Sequence, residues 1–410
     1  MGEFELILCK GAALHDRGCY RDALLLYDDA LIRWPNEAAL WNNRGNSFLE
    51  EGLFEQAADS YWHALNLVPS LHDSRIALAT ALQAMGDIEG AYIECRKVLD
   101  SDPSHAEAHW NYSLLLLLRG DYEAGFREYE WRWKKRKFSS PLREFAKPHW
   151  SGENPEDKTI LVYAEQGFGD TIQFSRYLPM FEKMGAKIVF ECHQPLISLM
   201  DKVGKGIKLI AFGNKLPDFD YHIPLISLPH LFGSKLGTIP VDVPYLFPPK
   251  ERLLFWKSVT PACSGLRVGL CWAGKGYPDP HRSCEPELLM PLAAFPDICW
   301  YSLQMGNNVR KPSFDLIDLT MLVNDFADTA ALMGQLDLII TIDTAVAHLA
   351  GALGKKTWLL VPFAPDWRWG LGRMDCPWYP TMRLFRQERS NDWRTVVFQL
   401  VTELSSLAKE

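Results

Sequence analysis

The chain has 410 residues, of which 48% are hydrophobic and 23% are charged, and its formal net charge is −8. These values are typical of a globular protein with two or three domains, and the acidic balance argues against a nucleic-acid binder. No apolar run reaches the ~20 residues of a membrane span, and no signal peptide is visible, so we expect a cytoplasmic protein.

Nine cysteines are scattered along the chain, without a CxxC pair, and several of them lie inside apolar runs. This arrangement favours reduced, buried thiols over a disulfide or zinc framework. It is consistent with the expected cytoplasmic location.

Residues 1–137 contain a pattern with a period of 34 residues. Glycines recur at Gly18, Gly52, Gly86 and Gly120, and prolines recur at Pro35, Pro69 and Pro103. Small residues recur at Ala23, Ala57, Ala91 and Gly125, and an aromatic or apolar residue follows each of them four positions later, at Tyr27, Tyr61, Cys95 and Tyr129. The pattern resembles the tetratricopeptide repeat, a helix pair that buries its apolar face only by stacking on its neighbours. It predicts an all-α superhelix of four repeats, whose concave face is either a peptide-binding groove or a spacer or dimer platform.

The repeats end in Glu128–Lys137, EYEWRWKKRK. One interpretation is a patch for a membrane surface or a nucleic acid. We favour a solvated helix end that is docked by its tryptophans. Residues 138–157 are punctuated by Pro141, Pro148 and Pro155, which indicates a linker.

From Lys158 onward, predicted strands alternate with predicted helices, which is typical of parallel sheets with helices on both faces. The predicted strands are Thr159–Ala164, Lys187–Cys192, Ile207–Phe212, Tyr221–Pro224, Leu266–Trp272, Ile298–Leu303, Leu316–Leu319, Leu338–Ile342, Thr357–Val361 and Met382–Phe385. The predicted helices are Asp170–Met184, Pro195–Val203, Asp325–Leu336, Ala345–Leu353 and Asp392–Leu407. We expect two Rossmann-like α/β lobes, residues 158–250 and 251–410, that face each other across a cleft. The last helix is expected to pack back on the first lobe.

The stretch Asp337–Val361 predicts a buried strand, a turn at Asp343–Thr344, a helix rich in small residues and a second buried strand. The helix starts after the carboxyl end of a strand, where free backbone N–H groups and the helix dipole favour a bound anion. Ligands of open α/β sheets lie at this position. We therefore interpret the start of this helix as a diphosphate site.

The loop Ala164–Asp170, AEQGFGD, follows the first predicted strand. Gly167 and Gly169 permit a tight turn and the close approach of a ligand. The third glycine of the dinucleotide fingerprint is missing, so no nicotinamide cofactor is expected. Asp170 is either a helix N-cap or a general base in the cleft, and Glu165 is the rival carboxylate.

Two further loops carry candidate ligand-binding residues. The loop Cys271–Ser283 carries the cations Lys275 and Arg282. These cations either neutralise a leaving diphosphate or lie exposed to solvent and only keep the protein soluble. In Pro362–Pro380 the candidates are Trp367, Arg368 and Trp369. The tryptophans of this loop either stack on a sugar or base, or pack the two lobes together.

From about Lys158 to the carboxyl terminus, the chain resembles the heptosyltransferase-like glycosyltransferases of the glycosyltransferase-B fold. Residues 343–350, DTAVAHLA, match their donor-binding D-T-x-x-x-H-x-A turn, and Gly169-Asp170 matches a Gly-Asp near the start of their first domain. The whole chain resembles the bacterial tetratricopeptide-repeat proteins with this domain attached, through AEQGFGDTIQFSRYLP, TIDTAVAHLAGALG, APDWRWG and PWYPTMRLFRQ. The arrangement is also similar to that of the protein O-linked N-acetylglucosamine transferase.

The resemblance implies an inverting, metal-independent glycosyltransferase that moves a sugar from a nucleotide-sugar donor to a protein or peptide held by the repeats. The first lobe would face the acceptor and the second lobe the donor. Asp170 would take the acceptor's proton. The residues implied at the donor are Asp343, Thr344, Ala345, Arg282, Lys275 and Gln304. His348 is favoured as a packed, hydrogen-bonded histidine over a phosphate ligand.

Two alternatives remain open at this point. The enzyme could act on lipopolysaccharide or another glycan, with the repeats as a docking platform. The chain could instead be a non-catalytic nucleotide-binding scaffold, since Met305 stands where many relatives have a lysine. We expect no metal, because the triplet Asp218-Phe219-Asp220 precedes a strand and does not lie in a donor loop. A homo-oligomer through the repeats is a further option.

Overall fold

The computed structural model describes residues 2–276, 279–306 and 309–407. The chain forms two compact units. One comprises the residues up to Arg119 together with Ala124–Phe138, and the other comprises Gly120–Glu123 and the residues from Ser139 onward. No helix in the described ranges is long and apolar enough to cross a membrane.

Eight consecutive α-helices form the amino-terminal third of the chain. They are α1 (Glu3–Asp16), α2 (Tyr20–Arg33), α3 (Ala38–Glu50), α4 (Phe54–Leu67), α5 (His72–Ala84), α6 (Ile88–Ser101), α7 (Ala106–Leu118) and α8 (Tyr122–Tyr129). The predicted all-α repeat array is confirmed.

The 34-residue spacing of glycine has a conformational cause. The glycines that follow the first helix of each pair have positive φ angles: Gly18 (73°), Gly52 (74°), Gly86 (84°) and Gly120 (87°). This left-handed conformation ends a helix, and glycine adopts it without a steric penalty. The chain then turns back, as where the N–H of Leu53 donates to the carbonyl of Phe48 over 2.9 Å.

The repeated small and large residues form the contacts between helices. The ring of Tyr27 packs on Gly11 and that of Tyr61 on Gly45, where a Cβ atom would come within 2.3 and 2.6 Å of the tyrosine. Both tyrosines are buried. The pattern that repeats in the sequence is therefore a packing pattern.

The basic run after the repeats is docked by its aromatic residues, as we favoured. Trp131 stacks on His109 with ring centroids 3.8 Å apart, and Lys134 Nζ lies 3.8 Å from the centroid of Trp131. Arg132 is fully buried and pairs with Glu130 over 2.7 Å. Part of the charge run thus belongs to the packed structure, although it was expected to be a solvated helix end.

Within the described residues, the second unit contains two sheets in which all strands are parallel. The first has the order β3-β2-β1-β4, with β1 Thr159–Tyr163, β2 Lys187–Cys192, β3 Ile207–Ala211 and β4 Tyr221–Pro224. Ile160 of β1 lies opposite Ile188 of β2 and Tyr221 of β4. The helices of this part are α9 (Phe168–Phe174), α10 (Leu178–Lys183), α11 (Ile197–Met200) and α12 (Leu228–Leu231).

The second sheet has the order β6-β5-β7-β8-β9. Its strands are β5 Leu266–Cys271, β6 Ile298–Ser302, β7 Leu338–Ile342, β8 Thr357–Val361 and β9 Met382–Arg386. The helices are α13 (Lys250–Val259), α14 (Phe326–Gly334), α15 (Ala345–Ala352) and α16 (Trp393–Leu407). Strands β7 and β8 are buried along their whole length, which explains their continuous apolar sequence.

Three predicted elements differ in the structure. The helix predicted over 170–184 is interrupted by a 3-10 turn at Ser175–Tyr177, because Pro179 lacks the N–H that a continuous helix needs. The strand predicted at Leu316–Leu319 is reduced to a single bridge between Ile317 and Tyr301. The helix predicted over 195–203 is shorter, with a 3-10 turn at Gln194–Leu196 followed by α11 at Ile197–Met200. The last helix packs in the core of the second sheet through Trp393 and Leu400.

Two cysteines were wrongly assigned to the reduced thiols. Cys263 and Cys299 form a disulfide, with Cα atoms 6.3 Å apart. They are 36 residues apart in sequence, and only the pairing of β5 with β6, which sets Leu266 opposite Ile298, brings them together. The cysteine spacing alone does not contain that information.

Candidate functional site

The candidate residues follow the carboxyl ends of strands in both sheets. Glu165 comes after β1, Lys275 after β5, Gln304 after β6, Asp343 after β7 and Trp367 after β8. Carboxyl ends of parallel strands meet at one edge of a sheet, where α/β proteins bind ligands. The candidates therefore lie at the carboxyl edges of the two sheets, the position that the sequence predicted for them.

The glycine loop after β1 differs from its expected geometry. The positive φ angle of 61° belongs to Gln166, whereas Gly167 has an extended φ of −92°. Gly169 packs against the second lobe: a Cβ atom there would lie 2.7 Å from His348 Cδ2 and 3.6 Å from Ala345 Cα. This glycine therefore allows helix α9 to approach helix α15 directly.

The two candidate carboxylates of this loop have different surroundings. Glu165 is buried, and its Oε1 accepts the N–H of Ile226 over 3.2 Å. Asp170 accepts the N–H of Gly167 on Oδ2 over 2.9 Å, as an N-terminal capping contact, and accepts Arg368 Nη2 on Oδ1 over 2.5 Å. Burial raises the pKa of Asp170, and the charge of Arg368 opposes that shift. The surroundings of Glu165 favour a structural role for it.

Arg368 joins the loop after β8 to helix α9. Its Nε donates to Gln173 Oε1 over 2.6 Å, its Nη1 to Asp366 Oδ1 over 2.9 Å, and its Nη2 to Asp170. The side chain is almost fully buried. Gln173 and Asp366 were not among the predicted site residues, although Gln173 lies one helical turn from Asp170, a spacing that puts both on one helix face.

The tryptophans of the same loop are core residues. Trp367 is 4% exposed and Trp369 is 0% exposed. Trp369 stacks on His348 with ring centroids 5.4 Å apart. Of the two interpretations of these tryptophans, the structure supports packing over stacking on a sugar.

Helix α15 begins at the carboxyl edge of the second sheet. Thr344 is its N-cap and accepts the N–H of Val346 on Oγ1 over 3.3 Å, and Ala345 is its first residue. Arg282 Nη1 donates to the carbonyl of Asp343 over 3.2 Å, and Arg282 Nη2 donates to the carbonyl of Lys275 over 3.0 Å. A guanidinium and a helix N-terminus therefore lie side by side, a combination that favours anions.

His348 and Gln304 are held by protein partners. His348 is buried, with Nδ1 3.0 Å from the hydroxyl of Tyr379. Burial lowers the pKa of His348 well below its usual value, and the charge of Arg368 lowers it further, so the ring is neutral near pH 7. Gln304 Oε1 accepts the N–H of Ala273 over 2.8 Å, and its Nε2 donates to the Ala273 carbonyl over 3.0 Å. These contacts agree with the packed interpretation of His348 and give Gln304 a bracing role.

The loop Cys271–Ser283 is described only in part, since residues 277 and 278 lie outside the described ranges. Lys275 and Met305 are exposed. Within the described residues, no group of three or more His, Cys, Asp or Glu side chains is arranged to hold a metal ion. A cavity of about 320 Å³ lies at the opposite, amino edge of the second sheet, lined by residues such as Thr381 and Arg383 and by none of the candidates.

Asp343 gives the site a pH dependence. Burial raises its pKa to about 6, and the charge of Asp366 adds to the shift. A carboxyl whose pKa is raised on folding stabilises the fold below its ordinary pKa of 3.8, and that contribution is lost as the pH rises through 6.

We therefore expect Asp343→Asn to be more stable than the wild type at pH 7.5, by about 1–2 kcal/mol, since the side chain is only partly buried. The difference should disappear near pH 3, below the ordinary pKa of 3.8, where the carboxyl is neutral in both the folded and the unfolded state. Thermal unfolding of both proteins between pH 3 and 8 measures it. A difference that is the same at both ends of this range would contradict the assignment.

Comparisons with known proteins identify the repeats. The tetratricopeptide repeat family matches residues 10–65 and 76–136. The chain is 24% identical to Protein FlbA of Caulobacter vibrioides over 433 residues, which covers 97% of this chain and 72% of that protein.

Two solved structures illustrate the structural comparison. A tetratricopeptide repeat protein from Parabacteroides merdae is 20% identical, with a TM-score of 0.30, and covers 31% of this chain and 50% of its own. The second such domain of human RPAP3, in complex with an HSP70 peptide, is 23% identical, with a TM-score of 0.25, and covers 26% of this chain and 88% of its own.

Proposed function

We propose that the protein is an inverting, metal-independent glycosyltransferase that uses a nucleotide-sugar donor and modifies a protein or peptide held by its repeats. The observation that carries the proposal is the start of helix α15. It combines the N-cap Thr344, the guanidinium of Arg282 and the contact with α9, which brings Asp170 next to the same place. The sequence resemblance of this turn to a donor-binding turn supports the same assignment.

Each group has a role in the proposed reaction. The N–H groups at the start of α15 and the guanidinium of Arg282 hold the diphosphate and offset the charge that grows on it as the sugar leaves. Asp170 accepts the proton of the acceptor hydroxyl while that oxygen attacks the anomeric carbon and the nucleoside diphosphate departs. Burial has already raised the pKa of Asp170, which improves it as a base.

Binding of nucleoside diphosphates tests the donor site directly. We expect titration calorimetry with UDP, GDP, ADP and CDP to detect one ligand that binds, and Arg282→Gln to weaken that ligand at least tenfold, since charge-assisted contacts to phosphate are lost. The matched control is Arg389→Gln, which removes an exposed arginine of the same lobe. Absence of binding by all four diphosphates would remove the basis of the proposal.

A second candidate is a nucleotide-binding repeat scaffold without turnover. It is favoured by the two contacts of Asp170, because both carboxylate oxygens already have protein partners. Release of nucleoside diphosphate from the matching nucleotide sugar, in the presence of acceptor peptides, separates the candidates. If the protein is an enzyme, Asp170→Asn lowers turnover and keeps donor binding; a scaffold gives no turnover in the wild type.

A further inference from the structure

The inner face of the repeat array is formed by the first helix of each pair. Helix α1 packs on α3, α3 on α5, and α5 on α7. Polar side chains link these helices: Ser74 Oγ donates to Asn42 Oδ1 over 2.6 Å, and Asn111 Nδ2 donates to Thr80 Oγ1 over 3.1 Å. In stacked repeats the concave surface is the usual binding surface. Here it offers amides and hydroxyls.

The charge of this part of the chain is strongly negative. Residues 1–119 contain eighteen Asp and Glu and nine Lys and Arg, a formal charge of −9 against −8 for the whole chain. The exposed carboxylates on inner helices include Glu50 and Asp73, and the side chain of Asp73 is 77% exposed.

The arginines of the inner helices already have partners. On α3, α5 and α7, which lie wholly within the described ranges, the Lys and Arg residues are Arg44 and Arg75. Arg44 Nε donates to Asp28 over 2.7 Å, and Arg75 Nη1 donates to Glu94 over 2.6 Å. Helices α3, α5 and α7 therefore carry no unpaired Lys or Arg for an acidic peptide or a terminal carboxylate, whereas α1 carries the exposed Lys10.

We propose that the inner face of the repeats binds an extended peptide that carries lysine or arginine side chains. The amides and hydroxyls of Asn42, Thr80 and Asn111 suit the backbone of such a peptide, and the carboxylates suit its cations. This inference names the partner class within the proposed function. Its test measures peptide binding without a donor, so a failure of catalysis and a failure of peptide recognition are told apart.

The test uses the full chain and three fluorescein-labelled twelve-residue peptides, with the repeats Ser-Lys, Ser-Gln and Ser-Glu. In fluorescence anisotropy at 50 mM NaCl we expect the Ser-Lys peptide to bind more tightly than the Ser-Gln peptide, and the Ser-Glu peptide not to bind. Affinity for the Ser-Lys peptide should fall at 300 mM NaCl, because salt screens exposed charges.

Matched variants locate the binding surface. Glu50→Gln with Asp73→Asn removes two carboxylates from the inner helices, and Asp29→Asn with Asp59→Asn removes two exposed carboxylates from the second helices α2 and α4. We expect the first pair to weaken Ser-Lys binding by about tenfold and the second pair by less than about twofold. Equal losses would mean attraction by net charge alone and would overturn the proposal.

A second copy of the chain is the rival occupant, since Lys134 and neighbouring basic residues follow the acidic helices. Sedimentation at 50 and 300 mM NaCl distinguishes it. Salt-sensitive self-association together with no binding of the Ser-Lys peptide would also overturn the proposal.

Discussion

Replacing Arg368 with alanine is expected to destabilise the second unit by about 3–5 kcal/mol. The side chain of Arg368 is 9% exposed, and its guanidinium donates hydrogen bonds to Asp170, Gln173 and Asp366. Its removal leaves the carboxylate of Asp170, whose side chain is only 20% exposed, without its cation. The loss of one partner from a largely buried ion pair is far more costly than the loss of an exposed pair. Urea unfolding monitored by tryptophan fluorescence measures the change.

The control for this prediction is Arg310→Ala in the same unit. Arg310 pairs with Glu285 and Glu287, and all three side chains are at least 60% exposed, so we expect a loss below about 1 kcal/mol. Adding Asp170→Ala to Arg368→Ala should recover part of the loss, because the unpaired buried charge is then gone. Equal losses of stability in Arg368→Ala and Arg310→Ala would show that the buried contacts of Arg368 stabilise this unit no more than an exposed ion pair does.

Gly169→Val is expected to have the second largest effect, a destabilisation of about 1–3 kcal/mol or more. A Cβ atom at this position would lie 2.7 Å from His348 Cδ2. His348 has little room to move, since it is hydrogen-bonded to Tyr379 and stacked on Trp369. The substitution therefore pushes α9 away from α15 and should also weaken nucleoside diphosphate binding in calorimetry.

Gly167→Ala is the matched control two residues earlier. Gly167 is exposed, its φ of −92° suits any residue, and the nearest atom to an added Cβ is Asp170 Oδ2 at 3.2 Å. We expect a change within about 0.5 kcal/mol, as for most surface substitutions. If both glycine variants are destabilised equally, the close contact between α9 and α15 does not explain why position 169 requires glycine.

The local patterns in the sequence predict most of the elements. Gly52 marks a helix end because its left-handed φ is costly for other residues. Continuous apolar runs predict β7 and β8 because both strands are buried on two faces. In each case the physical cause lies within a few residues of the signal, so a single sequence contains it.

The contacts between distant segments were not predictable from local patterns. Arg368 and Asp170 are 198 residues apart, and nothing near either residue specifies the other. The sequence left open whether Trp369 stacks on a ligand or packs in the core, and the structure shows it fully buried. The disulfide of Cys263 depends in the same way on which strands become neighbours. Such features follow from the tertiary arrangement, which single-sequence patterns constrain only weakly.

The hydrogen bond between Arg368 and Asp170 has a consequence for how an anionic ligand would enter. A phosphate oxygen that reached the guanidinium would compete with the carboxylate for the same N–H groups. Arrival of the ligand and liberation of the aspartate would then be one event, so the free protein would keep this carboxylate masked until an anion displaces it.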